Sequence, residues 1–414
     1  MGSYKVDLLI KNARIVGRKA LKDIGIEGER IVKIGKIRGR ARRMINAKGM
    51  LTSPVFIDPH IHLDKCMIGD EVRPNISGTL QEAIEIIWER KRRYTVPDIV
   101  RRAGEVMQMA ALNGTPRMRT HVDVDTISEL KPLKGLLEAR RKFKHLMDIQ
   151  IVAFPQEGIL RDPGTEELLY KAMELGADLV GGMPHHERPY SKAKPHIDIC
   201  FEVAKRFDAD IDMHVDETDD PRSRSLEYLA EKTVAEEYQG RVTAGHTCAL
   251  AAYPDDYARK VIRKVKQANI NMITNPVTNL VIQGRGDKQP VRRGITRVKE
   301  LLAAGVNVTF GQDCVNDAFY PFGRADMLEV ANITAHAAHL STLDEIRTVF
   351  RMMTYNAART LGVLHDYGAV GKRADLVVID AVSVKDAIRM QPDRRWVIKG
   401  GKIIAESRSI QRLV

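Results

Sequence analysis

The sequence predicts an α/β protein, a (β/α)8 TIM-type barrel with a small β-sandwich domain formed by both termini. Three observations carry this reading. Eight apolar runs alternate with stretches of helical period through the middle of the 414-residue chain. Every run ends on a polar residue, and most of the twelve histidines lie at these ends. Both termini have a different texture, of short β-like runs broken by Gly and charged turns.

The N-terminal runs are Asp7-Leu8-Leu9-Ile10, Ala13-Arg14-Ile15-Val16, Asp23-Ile24-Gly25-Ile26 and Arg30-Ile31-Val32-Lys33-Ile34. Glu27-Gly28-Glu29 reads as the turn between the last two. The C-terminus repeats this pattern over Ala374–Ile379 and Trp396–Ile404. We therefore expect residues 1–53 and 370–414 to form one β domain, and residues 54–369 the catalytic barrel. The eight middle runs are Pro54–Asp58, Arg117–Val124, Asp148–Phe154, Ala177–Met183, Asp210–Val215, Arg241–Gly245, Asn269–Thr274 and Val306–Gly311. Buried parallel strands read as continuous apolar runs. Helix-like segments separate them: Leu80–Arg93, Asp98–Leu112, Ile127–Phe143, Thr165–Leu175, Lys194–Phe207, Ser223–Tyr238, Asp256–Gln267 and Arg297–Ala304. Eight such units match a (β/α)8 barrel. A doubly wound sheet would carry a Gly-rich phosphate loop after its first strand. Here that strand runs into Asp58-Pro59-His60-Ile61-His62.

Composition narrows the function. Apolar residues are 44% and charged residues 29%, the range of an ordinary globular protein rather than a disordered one. No run approaches the ~18 apolar residues of a membrane helix. Met1–Val6 has no apolar region after it and does not read as a signal peptide. Cys66, Cys200, Cys248 and Cys314 are far apart, without CxxC pairing, and read as reduced thiols of a cytoplasmic protein. Lys and Arg exceed Asp and Glu by 12. The basic clusters, such as Arg40-Ala41-Arg42-Arg43, lack interleaved aromatics and read as solvated surface, so neither nucleic acid nor membrane is an expected partner.

The strand ends carry the chemistry, because barrel enzymes build their sites there. The first ends at His60 and His62, the second at His121 and Asp123, the third at Gln156 and the fourth at His185, His186 and Glu187. The rest end at His214 and Glu217, at His246, at Asn275 and at Asp313. His60 and His62 fall on one face of an extended segment, because side chains alternate with period 2. With His214 and Asp313 they make three nitrogens and a carboxylate, a set suited to one Zn²⁺ or Fe²⁺ with room for water. His246 is a candidate to hold or deprotonate that water, a task Asp313 shares. Glu217, three residues after His214, is a candidate proton shuttle. Gln156 offers a donor and an acceptor to an amide-like edge. The class implied is hydrolytic attack on the carbon of a C–N bond in a ring.

These residues resemble the amidohydrolase superfamily, and within it the bacterial-type cytosine deaminase branch. The motifs that carry the resemblance are Phe56-Ile57-Asp58-Pro59-His60-Ile61-His62-Leu63-Asp64, Arg119-Thr120-His121-Val122-Asp123-Val124, Phe154-Pro155-Gln156-Glu157-Gly158, His214-Val215-Asp216-Glu217, Gly245-His246-Thr247 and Phe310-Gly311-Gln312-Asp313. The resemblance implies one divalent ion on His60, His62, His214 and Asp313, with water activated by His246 and Asp313. It further implies that Glu217 protonates a ring nitrogen. Gln156, Phe154, Cys314 and Phe319 would contact a small nucleobase-like substrate, cytosine or 5-methylcytosine. A cytoplasmic homo-oligomer is implied as well.

The chain also departs from the cytosine deaminase pattern. Cys314 stands where a second Asp is usual, Gln312 where His is usual and Phe319 where Trp is usual. A small thiol in place of a carboxylate makes room for an apolar group at ring position 5. The alternatives are another cyclic amidine, creatinine-like or an aminotriazine, with an alkylamine as leaving group. A hydantoin hydrolase would carry a Lys at the end of the fourth strand, where this chain reads Met183-Pro184-His185.

Overall fold

The computed structural model describes residues 6–410, 412 and 413; Met1–Lys5, read above as lacking a signal, lie outside the described residues. The chain opens with β1 (Val6–Ile15), β2 (Lys22–Glu27), β3 (Arg30–Gly35), β4 (Ala41–Asn46) and β5 (Leu51–Pro54). Eight strands then alternate with helices: β6 (Asp58–Ile61), β7 (Arg117–Asp123), β8 (Asp148–Phe154), β9 (Leu179–Gly182), β10 (Asp210–Val215), β11 (Val242–His246), β12 (Asn271–Thr274) and β13 (Val308–Phe310). The chain closes with β14 (Leu376–Ile379), β15 (Arg394–Lys399) and β16 (Lys402–Glu406).

The strands β6 to β13 form one parallel sheet in sequence order. A bridge between Ile61 and Asp313 closes it into a barrel. Asp313 donates its backbone N–H to His60 O at 2.8 Å, and His62 donates to Asp313 O at 2.9 Å. The seam of the barrel thus joins three of the residues singled out in the sequence. The strands are almost wholly buried because both faces are covered: the interior by its own side chains, the outside by helices.

The terminal strands pair in the order β16-β15-β14-β5-β1-β2-β3, with β4 on β1. Strand β1 serves both halves: its first part pairs with β2 and β4, and its last residues with β5. The halves fold over a shared core of Leu8, Ile10, Ile24, Ile26, Ile31, Val378, Trp396 and Ile398. The sheet is fixed to the barrel through Arg394, which pairs with Asp326, and Lys399, whose ammonium lies 2.9 Å from Asp148.

The run Pro54–Asp58 is not the first barrel strand as expected. Its head, with Leu51–Pro54, pairs antiparallel with β14 in the terminal sheet. Val55, Phe56 and Ile57 are fully buried in the crossing between the domains, and the barrel strand starts at Asp58. The apolar run is continuous because both domains bury it. The segment Ile127–Phe143 is helical only from Lys131. Asp125 draws its opening residues into a turn by accepting from the backbone N–H of Ile127 and Ser128. All four cysteines are free and buried. Among the described residues no helix is long and apolar enough to cross a membrane.

Candidate metal centre and active site

Sharp turns at the strand ends aim the candidate side chains inward. Asp216, His246, Thr247 and Asp313 all have positive φ, between 48° and 65°. Such backbone costs non-Gly residues energy and clusters at functional sites. Asp216 is held in that turn by Ser223, Ser225 and Leu226, which all donate to its carboxylate. The turn swings Glu217 out of the strand and over the barrel mouth.

His60, His214, His246 and Asp313 each bring one ligand atom to within 4.8 Å of the others. His62 joins from the other side: its Nε2 is 3.0 Å from His214 Nε2 and 3.4 Å from Asp313 Oδ1. His60 Nε2 is 3.4 Å from the same oxygen. Burial pushes the pKa of His60, His62 and His214 down, so all three imidazoles are neutral lone-pair donors. Burial pushes Asp313 up, but His246 and His60 outweigh it and keep the carboxylate ionised. Three neutral nitrogens around one carboxylate oxygen fit a divalent cation. Both nitrogens of His60, and Nδ1 of His62 and of His214, are buried without a hydrogen-bond partner. Buried donor atoms left this way are expensive unless an ion satisfies the set.

His246 Nδ1 is 2.9 Å from Glu217 Oε1, and Asn279 donates to the same oxygen at 3.0 Å. Burial alone would lower the His246 pKa, but the Glu217 and Asp313 carboxylates overcome it and hold it at about 9. Asn275 lies 3.0 Å from His246 Nε2. Glu217 and His246 are therefore one hydrogen-bonded unit beside the ligand set, able to carry a proton between them.

These groups surround a cavity of about 20 Å³, enough for a water. Gln156, Lys65, Leu80, Thr278, Cys314 and Phe319 complete its wall. A mouth of about 630 Å³, also lined by Leu80 and Glu217, leads outward. Phe154 is not in the wall. Its ring stacks behind His214 with centroids 4.1 Å apart and fixes that imidazole. The Gln156 amide is fixed in orientation, because its Oε1 accepts from Lys65 Nζ at 2.8 Å.

Sequence reading gave no role to Lys65, Thr278 or Asn279. Lys65 follows His62 by three residues and looks like a surface charge, yet its side chain is 1% exposed. The signal was its position, just after a ligand pair and before the apolar Cys66-Met67-Ile68. Asn279 sits one helical turn after Asn275, the strand-end residue that was noted. His121 was noted as a strand end; its ring packs 4.2 Å from that of His60, and its Nε2 is 3.4 Å from Asp212.

Comparison with known proteins identifies the family. A sequence model described as "Amidohydrolase family" matches residues 43–405. The chain is 36% identical, over 99% of both sequences, to N-isopropylammelide isopropyl amidohydrolase of Pseudomonas sp. strain ADP. Among solved structures, 5-methylcytosine deaminase from Klebsiella pneumoniae, liganded with 5-fluorocytosine, superposes with a TM-score of 0.94. It is 38% identical, over 98% of this chain and 99% of that one. N-isopropylammelide isopropylaminohydrolase from Burkholderia multivorans gives a TM-score of 0.85 at 30% identity, over 97% of this chain and 98% of that one.

Proposed function

The chain belongs to the amidohydrolase family, and from that premise we propose that it hydrolyses the exocyclic C–N bond of an oxo-pyrimidine, converting 5-methylcytosine or cytosine to thymine or uracil and ammonia. The observation that carries this is that the paired Glu217 and His246 line the same narrow cavity as the Gln156 amide. A flat ring entering from the mouth and widening that cavity would meet both a proton donor and an amide.

His60, His62, His214 and Asp313 would hold one divalent ion, Zn²⁺ or Fe²⁺. Such an ion supplies a water whose pKa lies near neutrality. The chain's own groups do the rest. His246, protonated beside Glu217, orients the water, and the ionised Asp313 takes its proton. Glu217 delivers a proton to the ring nitrogen beside the reacting carbon. The water oxygen adds to that carbon, the exocyclic nitrogen gains a proton, and the C–N bond breaks to release ammonia. Proton transfers of this kind contribute ~10²- to 10⁴-fold each. Leu80 and Phe319 supply apolar surface to the cavity wall. Cys314, a small thiol, leaves space for a 5-methyl group.

A second reading has its own support. Two N-isopropylammelide hydrolases align with nearly the whole chain. The same apparatus could release isopropylamine from a triazine ring that bears oxo groups.

The test is product release by metal-loaded protein: ammonia from cytosine and 5-methylcytosine, and isopropylamine from N-isopropylammelide, with Asp313→Ala as control. Ammonia from either pyrimidine at the higher kcat/KM supports the proposal. Isopropylamine alone transfers the assignment to the triazine reading.

A further inference from the structure

Lys65 ties the active-site slot to a buried charge network. Its Nζ donates to Asp123 Oδ1 at 2.5 Å as well as to Gln156 Oε1. Asp123 is itself gripped by Lys91 at 2.8 Å, and Lys91 also holds Asp125 and Glu157 at 2.8 and 2.9 Å. The Phe154 and Phe319 rings flank the Lys65 ammonium at 5.6 and 5.8 Å. Burial disfavours charge on Lys65, but Asp123 and Asp64 outweigh it and keep the ammonium protonated. The group is therefore fixed in place, charged, and in the wall of the slot.

An ammonium can only donate. The amide atom of Gln156 that faces it must be the oxygen, so the N–H₂ cannot rotate back toward Lys65. Nothing else claims that N–H₂ strongly: its nearest partner is Met183 Sδ at 3.5 Å. With two of its three protons on Asp123 and Gln156, Lys65 keeps a third for the slot that it lines. On this side the slot is thus lined by two donor groups, the Lys65 ammonium and the Gln156 N–H₂.

We infer that Lys65 is a specificity-determining positioning residue: by locking the Gln156 amide with its N–H₂ toward the slot, it makes the enzyme select rings bearing an oxo group on that edge and reject their amino counterparts. This rests on the oxo-pyrimidine reading above. An amino group there would face donors with a donor, and unpaired buried polar groups give strong discrimination.

The experiment measures, by calorimetry on metal-loaded protein, the Kd of cytosine and of 2,4-diaminopyrimidine, which differ in the 2-substituent and its ring-nitrogen proton. Wild type is expected to prefer cytosine by at least ~100-fold. In Lys65→Met the amide is free to invert, and the preference should fall below ~10-fold, with KM for the oxo ring rising more than kcat falls. Gln156→Leu, which keeps the buried charge network, should collapse the ratio too and serves if Lys65→Met does not fold. Equal weakening of both rings, with the ratio intact in either variant, overturns the inference and leaves the deaminase reading standing. Binding of neither ring by wild type overturns both together.

Discussion

Glu217 is the residue on which the proposed chemistry turns, since it is the carboxylate that touches both His246 and the slot. Glu217→Gln keeps the shape and a hydrogen-bonding oxygen for Asn279 but cannot carry a proton. Its kcat should fall by ~10²- to 10⁴-fold with metal content unchanged. Turnover within tenfold of wild type, with full metal, would remove Glu217 from proton transfer. Residues of this kind were legible in the sequence because chemistry restricts their types: His60, His62, His214, His246 and Asp313 stand at strand ends, where an apolar run has no structural need for them. Lys65 and Asn279 were not legible, because their roles depend on partners far away in the chain. Asp123 is 58 positions from Lys65, and Glu217 is 62 from Asn279. Gln156 shows the same limit. Its residue type announces a donor and an acceptor, but only the fold reveals which way the amide faces.

Strands and helices were legible wherever one environment governs a whole segment. Strands β8 and β10 match the expected Asp148–Phe154 and Asp210–Val215 residue for residue, because each is a buried run flanked by clear helical period. The read failed at Pro54–Asp58, where two domains bury consecutive residues and no polar break marks the handover. The segment after Asp313 is a compact turn: Asn316 N donates to Phe322 O, and Asp317 N to Tyr320 O. Asp317 fastens it by accepting from the backbone N–H of Phe319 and Tyr320, both at 2.9 Å. Its other oxygen is buried with no conventional partner, beside the Cys314 thiol. Burial drives the Asp317 pKa up to about 7, against the lowering effect of those backbone donors. An unfolded Asp ionises near pH 4. From there to pH 7 the unfolded chain loses a proton that the folded chain keeps, so this residue's contribution to stability falls as pH rises. Asp317→Asn preserves the turn and removes the titration. The variant should match wild type in Tm near pH 4 and exceed it by several degrees at pH 8. An equal Tm difference at both pH values would mean that Asp317 is ionised in the fold.

At the scale of the whole molecule, the barrel seam and the metal centre are the same place, since the Ile61–Asp313 bridge that closes the sheet also brings His60, His62 and Asp313 together. Ion binding and barrel closure should therefore be coupled. The ligand imidazoles are neutral and desolvated and their Nε2 atoms converge beside Asp313, so the metal-free fold bears a cost that an ion offsets in part. The number of ions follows from what surrounds that set. A second ion would need further carboxylates. Among the described residues, the group of His60, His62 and His121 holds no carboxylate, and that of His62, Asp64 and Asp123 is already neutralised, because Lys65 and Lys91 both sit on Asp123. Strand β9 leads to Met183-Pro184-His185, where no lysine is present to bridge a pair of ions. The protein should accordingly bind about one equivalent of Zn²⁺ or Fe²⁺. Chelation should lower the unfolding free energy by ~4 kcal/mol relative to protein at a thousandfold excess of free metal over Kd, reversibly on reloading. Elemental analysis alongside thermal melts measures both quantities. His62→Ala should lose most of the metal-dependent gain while retaining the apo Tm, because the side chain removed is one whose burial only the ion offsets. Two equivalents of metal, or a melt unmoved by chelation of a fully loaded sample, would break the link between closure and the ion.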